Sequence, residues 1–227
     1  MPDSLHLYGS PISTYYNKVK IALIELGLPF EEIEVLPGAG QWPDSGSPSG
    51  KIPFLRRGGE YVYESQAIVE YLEDIREGEA PSLFPPGPLQ RAQCRELILY
   101  LELYLDAPMR PIYQSVFWGK EMPEGLLERT LEDLKKGLRI LLRRAGLDPW
   151  LCGAEFTHAD SAAWVHLSTI QWALAIAGHK AFLQEQAPEL APYLQRLAER
   201  PSVARTEADR RETSRRIKAE RAAAKGG

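Results

Sequence analysis

The chain has 227 residues, enough for one large or two small domains. A formal net charge of -4 excludes a general binder of nucleic acid, and 44% hydrophobic beside 26% charged residues is ordinary for a soluble globular protein. No apolar run approaches the ~20 residues of a membrane span, so no membrane partner is expected. Met1-Pro2-Asp3-Ser4 leads straight into a strand-like pattern and lacks the charged and apolar regions of a signal peptide. Cys94 and Cys152 lie far apart and match no metal or C-x-x-C spacing, so a reduced, disulfide-free cytoplasmic protein is expected.

Leu5-His6-Leu7-Tyr8 reads as a short strand, and Gly9-Ser10-Pro11-Ile12-Ser13 as a loop. From Thr14 the period turns helical, with Val19, Ala22, Leu23 and Leu26 on one face and Gly27 as the stop. Phe30 to Val35 alternates as a second strand, parallel to the first by the handedness of such crossovers. Residues 36–50 are rich in Pro, Gly and Ser and read as a loop.

Gly50 to Ser65 is the most informative run. Phe54-Leu55 and Tyr61-Val62-Tyr63 are strands joined by Gly58-Gly59, which supplies the positive φ angles of a tight hairpin. Ser65 precedes the helical run to about Ile75 and reads as its N-cap. Pro53 removes one backbone donor at the strand start and leaves Ile52 free to pair with something extended laid alongside. Glu64-Ser65 places a carboxylate, a hydroxyl and free helix N–H groups at one spot, suited to the ends of a small zwitterion. The order β-α-β-loop-β-β-α gives a mixed four-stranded sheet with helices, the thioredoxin-like arrangement.

Pro81, Pro85, Pro86 and Pro88 mark a linker over 79–88. Helical patterns then cover about Leu89–Leu105, Tyr113–Trp118, Gly125–Arg144, Thr157–Ala177 and Pro188–Arg200, an all-α bundle. Leu127, Leu131, Leu134, Leu138 and Leu141 form one stripe. Thr157 and Asp160 spell a capping box, a folding device without chemistry. From Arg205 to Lys225 eight basic residues face four acidic ones, and the segment reads as a solvated, frayed extension. The expected division is 1–78, linker 79–88, 89–204 and a basic tail 205–227.

With Lys51-Ile52-Pro53, Glu64-Ser65, the Pro-rich linker, the helical second half and Phe156-Thr157-x-Ala-Asp160, the chain resembles a cytosolic glutathione S-transferase of bacterial, serine type. The resemblance implies a cis Pro53. It implies that Ile52 pairs its backbone with the cysteinyl part of glutathione and that Glu64 and Ser65 hold its γ-glutamyl end. The loop that should serve the glycine carboxylate departs from the family pattern; Gln41 is its one plausible contact, with Lys51 as a cationic substitute. The family also implies a homodimer.

The chemistry needs a donor near the glutathione sulfur to favour thiolate over thiol. Tyr8, Ser10, Ser13, Thr14, Tyr15 and Tyr16 are on offer. Counting back from Gly27, Ser13 falls where serine-type and cysteine-type members place their catalytic residue, at a helix N-terminus that favours an anion. A serine there also simply caps a helix. Tyrosine-type members make Tyr8 the rival. Tyr15, Tyr104 and Tyr113, with Met109 and Phe117, are candidate walls for the second substrate, and Arg110 a possible anion contact. His6, His158, His166 and His179 lack partners at ligand spacing, so no metal is expected. The implied function is conjugation of glutathione to a small, largely apolar electrophile. The alternatives are a non-catalytic glutathione-binding module, or disulfide reduction, isomerisation or dehalogenation on the same site.

Overall fold

The computed structural model describes residues 4–36, 47–76 and 81–226. In chain order the elements are β1 (Leu5–Gly9), α1 (Thr14–Glu25), β2 (Phe30–Glu34), β3 (Phe54–Arg57), β4 (Glu60–Tyr63), α2 (Ser65–Ile75), α3 (Pro88–Tyr100), a π-helical turn (Leu101–Asp106), α4 (Ala107–Trp118), α5 (Leu126–Leu142), α6 (His158–Ile176), α7 (Phe182–Gln186), α8 (Leu190–Ala198) and α9 (Pro201–Gly226). The chain forms two compact units, Met1–Leu83 with Arg200–Gly227, and Phe84–Glu199.

The first unit is built on a four-stranded sheet in the order β2-β1-β3-β4. β1 and β2 are parallel, and β3 runs antiparallel to both β1 and β4. The register aligns Leu7 with Leu55 and Leu55 with Val62 on one face, and Tyr8 with Phe54 and Phe54 with Tyr63 on the other. The two-residue alternation of strands therefore sorts the sheet into an aliphatic and an aromatic face. Leu7, Leu55, Ile21, Leu23, Ile68 and Leu72 are all fully buried, each worth about 1.5–3 kcal/mol of apolar transfer. On the aromatic face Tyr8 stacks on Phe54 with centroids 4.6 Å apart, and Tyr61 stacks on Tyr63 at 6.3 Å. At the β3–β4 turn Gly58 alone takes a positive φ, 60°, as the first central residue of a II′ turn does.

Helix α9 changes the expected outline of the chain. Residues 205–227 were expected as a frayed extension; instead α9 packs on α1 and belongs to the first unit. Arg200 makes a two-pronged pair with Glu25 at 2.7 and 2.6 Å, Lys20 bonds Asp209 at 2.7 Å, and Arg216 reaches Glu34. Its buried positions include Ser202, Val203, Thr206 and Thr213, mostly polar, so no apolar stripe announces the interface. Helix α1 is thus covered from more than one side: Lys20 lies under α9, while Lys18 Nζ donates to Gln66 Oε1 on α2 at 2.8 Å.

In the second unit, residues 88–118 form continuous helical backbone where the sequence suggested two helices. Pro108 and Pro111 withhold the N–H groups that the preceding turn would use, and the helix widens there into the π-helical turn, with Ala107 N–H bonding Glu102 C=O. Helix α5 closes on this turn through Gly137: a Cβ there would stand 2.3 Å from the Tyr104 carbonyl oxygen. Helix α7 carried too short a pattern to be read from sequence. The capping box at α6 is fully formed: buried Asp160 accepts from the Thr157 N–H (2.8 Å), the Thr157 hydroxyl (2.8 Å), the Leu151 N–H (2.8 Å) and the Tyr193 hydroxyl (2.7 Å).

Candidate functional site

The strand register gathers the candidate residues of the first unit at one end of the sheet. Tyr8, Phe54 and Tyr63 lie side by side on β1, β3 and β4. One step beyond them come the Gly9–Ser13 loop, Pro53 and Glu64. Because β1 leads into α1 and β4 into α2, two helix N-termini lie at this same end, each with unbonded N–H groups.

Ser13 is the N-cap of α1, with extended backbone (φ -85°, ψ 124°), and its Oγ accepts from the Tyr16 N–H at 3.3 Å. Accepting there leaves the hydroxyl proton to be donated elsewhere. The side chain is half-buried. Asn17, one turn on, donates from Nδ2 to the Pro11 carbonyl at 2.8 Å and so pins the loop that carries Ser13. Sequence reasoning passed over Asn17; a polar residue within the buried run of α1 was the available signal.

Tyr8 sits differently. Its ring is buried between Phe54 and Tyr61, and burial, opposed by Arg56 and aided by Tyr61, holds its hydroxyl above the ordinary tyrosine pKa. Tyr16 is likewise engaged, donating to Glu32 Oε2 at 2.5 Å, and burial followed by that bond pushes its pKa up. Tyr15 is half-buried on the first turn of α1.

Ile52-Pro53 is a cis peptide, with Pro53 buried and Ile52 partly exposed at the mouth of β3. Lys51 is exposed, and its N–H donates to Ser47 Oγ at 3.3 Å. Gln41 lies outside the described residues. The start of α2 corrects the sequence reading by one position. Ser65 is the first helical residue and is buried, while exposed Glu64 is the cap. Glu64 has φ 66° and ψ 122° and makes no capping bond among the described residues. A positive φ on a non-glycine residue costs about 1–3 kcal/mol, and such outliers gather at functional sites.

The residues expected to wall the second substrate separate into two groups. Met109 is core, and Tyr113 is buried with its hydroxyl donating to Asp106 Oδ1 at 3.3 Å. Arg110 Nε pairs with Asp106 Oδ2 at 2.8 Å. His166 Nδ1 lies 3.3 Å from Asp106 Oδ1 and its Nε2 3.9 Å from Glu102. Burial alone would push His166 down, but the Asp106 and Glu102 carboxylates outweigh it and hold the imidazole above its usual pKa. Asp106 thus gathers Tyr113, Arg110 and His166 around one buried carboxylate, a centre with no local sequence signature. Tyr104, by contrast, is 43% exposed beside Tyr100, and Phe117 packs on Trp172 with centroids 4.5 Å apart. Among the described residues no group of His, Cys, Asp or Glu has the arrangement of a metal site, and no helix is long and apolar enough to cross a membrane.

Comparison with known proteins gives this arrangement its class. Residues 7–80 match the sequence model of the glutathione S-transferase N-terminal domain, and residues 124–196 that of the C-terminal domain. A glutathione S-transferase of Pseudomonas putida is 33% identical over 208 residues, 91% of this chain and 92% of its own. A glutathione S-transferase of Methylobacterium radiotolerans, solved in complex with glutathione sulfonate, is 28% identical with TM-score 0.72, over 89% of this chain and 94% of that one. The Omega 3C glutathione transferase of Trametes versicolor superposes with TM-score 0.75 at 26% identity, over 91% of this chain and 90% of that one. The chain belongs to the glutathione S-transferase family. It is an enzyme of that class, with a thioredoxin-like unit followed by a helical one and glutathione as the family's substrate.

Proposed function

We propose that the protein conjugates the glutathione thiolate to a small, largely apolar electrophile, with Ser13 as the hydroxyl that holds the thiolate. The observation that carries this reading is the convergence of the Ser13 cap, cis Pro53 and the Glu64-Ser65 corner at one end of β1, β3 and β4. Glutathione lies extended along Ile52 and adds a short strand to the sheet. Its γ-glutamyl carboxylate meets the free N–H groups and hydroxyl at Ser65, and its ammonium meets Glu64. Lys51, together with Gln41, receives the glycine carboxylate.

The sulfur then falls toward the N-terminus of α1. There the Ser13 O–H donates to it and the helix dipole favours its charge. Ser13 does not attack; it lowers the proton affinity of the sulfur, which presents an oriented nucleophile near neutral pH. Tyr8 is the weaker candidate for this role because its ring is locked in the aromatic face. Tyr15, on the first turn of α1, contributes to the apolar substrate's surroundings. The functional form is a homodimer in the cytoplasm.

Calorimetry with glutathione, followed by turnover on a panel of electrophiles, tests the reading. Binding with conjugation of an aromatic halide is expected. Binding without turnover across the panel would replace conjugation with a carrier role, and turnover only of disulfides or haloacids would replace it with reduction or dehalogenation. Sedimentation of the protein as a monomer would remove the dimer.

A further inference from the structure

Cys94 and Cys152, distant in sequence, meet in the second unit. Cys94 on α3 is fully buried, and Cys152 lies half-buried in the loop between α5 and α6. Gln90 and Leu97, which share one face of α3 with Cys94, line one cavity with Cys152, and the two thiols are near enough to hydrogen-bond. The loop that presents Cys152 is held from several sides. Leu151 N–H bonds Asp160 Oδ1 at 2.8 Å, Gly146 N–H bonds the Leu151 carbonyl at 3.0 Å, and Arg196 grips the carbonyls of Leu147 and Pro149 at 3.0 and 2.7 Å. Cys152 opens onto a cavity of about 280 Å³, lined also by Gln90, Gln93, Glu96, Arg144 and Gly153.

We propose that Cys152 and Cys94 form a redox-active dithiol that reacts with a small polar disulfide bound in this cavity. The two glutamine amides offer donors and acceptors, and Arg144, already on Glu96 at 3.1 Å, has further N–H groups for a carboxylate. Cys152 is the attacking sulfur because it faces the cavity, and Cys94 donates to it. That bond favours its thiolate against the opposing burial, while the reverse bond and burial disfavour ionisation of Cys94.

In the first step the Cys152 thiolate attacks one sulfur of the disulfide. The disulfide S–S bond breaks, a mixed disulfide forms on Cys152, and one small thiolate leaves. In the second step the Cys94 sulfur attacks Cys152. The mixed disulfide breaks, the Cys94–Cys152 bond forms, and the second small molecule departs carrying the Cys94 proton as a thiol. The protein loses two electrons and the small disulfide gains them. This site lies wholly within the helical unit and its test reads thiols, so it stands or falls apart from the transferase reading.

The test exposes the reduced full-length protein to glutathione disulfide near neutral pH, quenches with a maleimide and maps the peptides by mass spectrometry. The wild type is expected to lose both alkylatable thiols and yield a linked Cys94–Cys152 peptide pair. Cys94→Ala stops with one glutathionyl group on Cys152, and Cys152→Ser leaves Cys94 unmodified. If Cys94→Ala fails to fold, native wild type still decides: iodoacetamide must label Cys152 at least about tenfold faster than Cys94. Two thiols still alkylatable after exposure, a wild type that halts at the mixed disulfide, or glutathionylation first at Cys94 each overturns the proposal. A cross-link made by hydrogen peroxide but not by the disulfide overturns the assigned oxidant and the role of the cavity.

Discussion

Among the described residues two helices are capped by a serine or threonine, and the two ends are used in opposite ways. At α6, Thr157 and Asp160 close the helix start completely, with four donors converging on one buried carboxylate. At α1, Ser13 takes a single N–H and keeps its own proton, on a half-exposed corner beside Pro53. Both are caps by geometry. The difference lies in how much hydrogen-bonding capacity is left over. A cap with nothing left holds the fold, and a cap with a donor to spare can also serve a ligand.

Removing the closed cap should have the largest effect. Asp160→Ala strands two buried N–H groups and two hydroxyls, and is expected to cost about 3–5 kcal/mol in urea unfolding. Glutathione affinity per folded molecule should be unchanged; a matching loss of affinity would mean the two caps are not separate devices. Ser13→Ala is the converse experiment. Turnover on an aromatic electrophile should fall about 10²-fold and the apparent pKa of bound glutathione should rise, while stability moves by only ~1 kcal/mol. An unshifted pH profile with full turnover would leave Ser13 as a cap and nothing more.

Helix α2 offers an intermediate case, a strained start with no side-chain cap among the described residues. Glu64→Gly should raise stability by about 1 kcal/mol by relieving the positive φ, and weaken glutathione roughly tenfold by removing the carboxylate. Tighter binding in that variant would contradict the role given to Glu64. The smallest effect expected is one of pH, further along α6. The folded state holds His166 above its unfolded pKa of about 6.5, so its contribution is complete below that value and is lost as pH rises through the higher folded value. The gap in melting temperature between wild type and His166→Gln should therefore shrink from mildly acidic to alkaline pH. A gap that widens would reverse the sign of the coupling to Asp106.

What could be read from sequence was local. Ile52-Pro53, Gly58-Gly59 and Thr157–Asp160 declare themselves within a few residues, because turns, caps and short strands are fixed by neighbours. The paired strands followed from alternation, and the family resemblance rested on the same short runs. What escaped depends on distant polar contacts. Ser202, Thr206 and Asp209 give α9 a docking face without an apolar stripe. Asp106 needs Arg110, Tyr113 and His166 folded around it before it is recognisable as a centre. Cys94 and Cys152 match no spacing rule, and only the packing of α3 against the Asp160-held loop brings them together. Ser65 was read as the cap of α2 because serine is the more usual cap, whereas the cap is Glu64, one place earlier.

The docking of α9 has a consequence for the order in which the molecule is made. Glu25 and its partner Arg200 are 175 residues apart. A ribosome delivers the sheet and α1 well before α9, yet the charges along α1 meet their cover only when α9 emerges. The helical unit, whose chain is complete from Phe84 to Glu199, has every contact of its own available before then. The unit whose sheet is translated before the helical unit is thus the one that finishes folding after it: Lys20 finds Glu32 at once, but Glu25 waits 175 residues for Arg200.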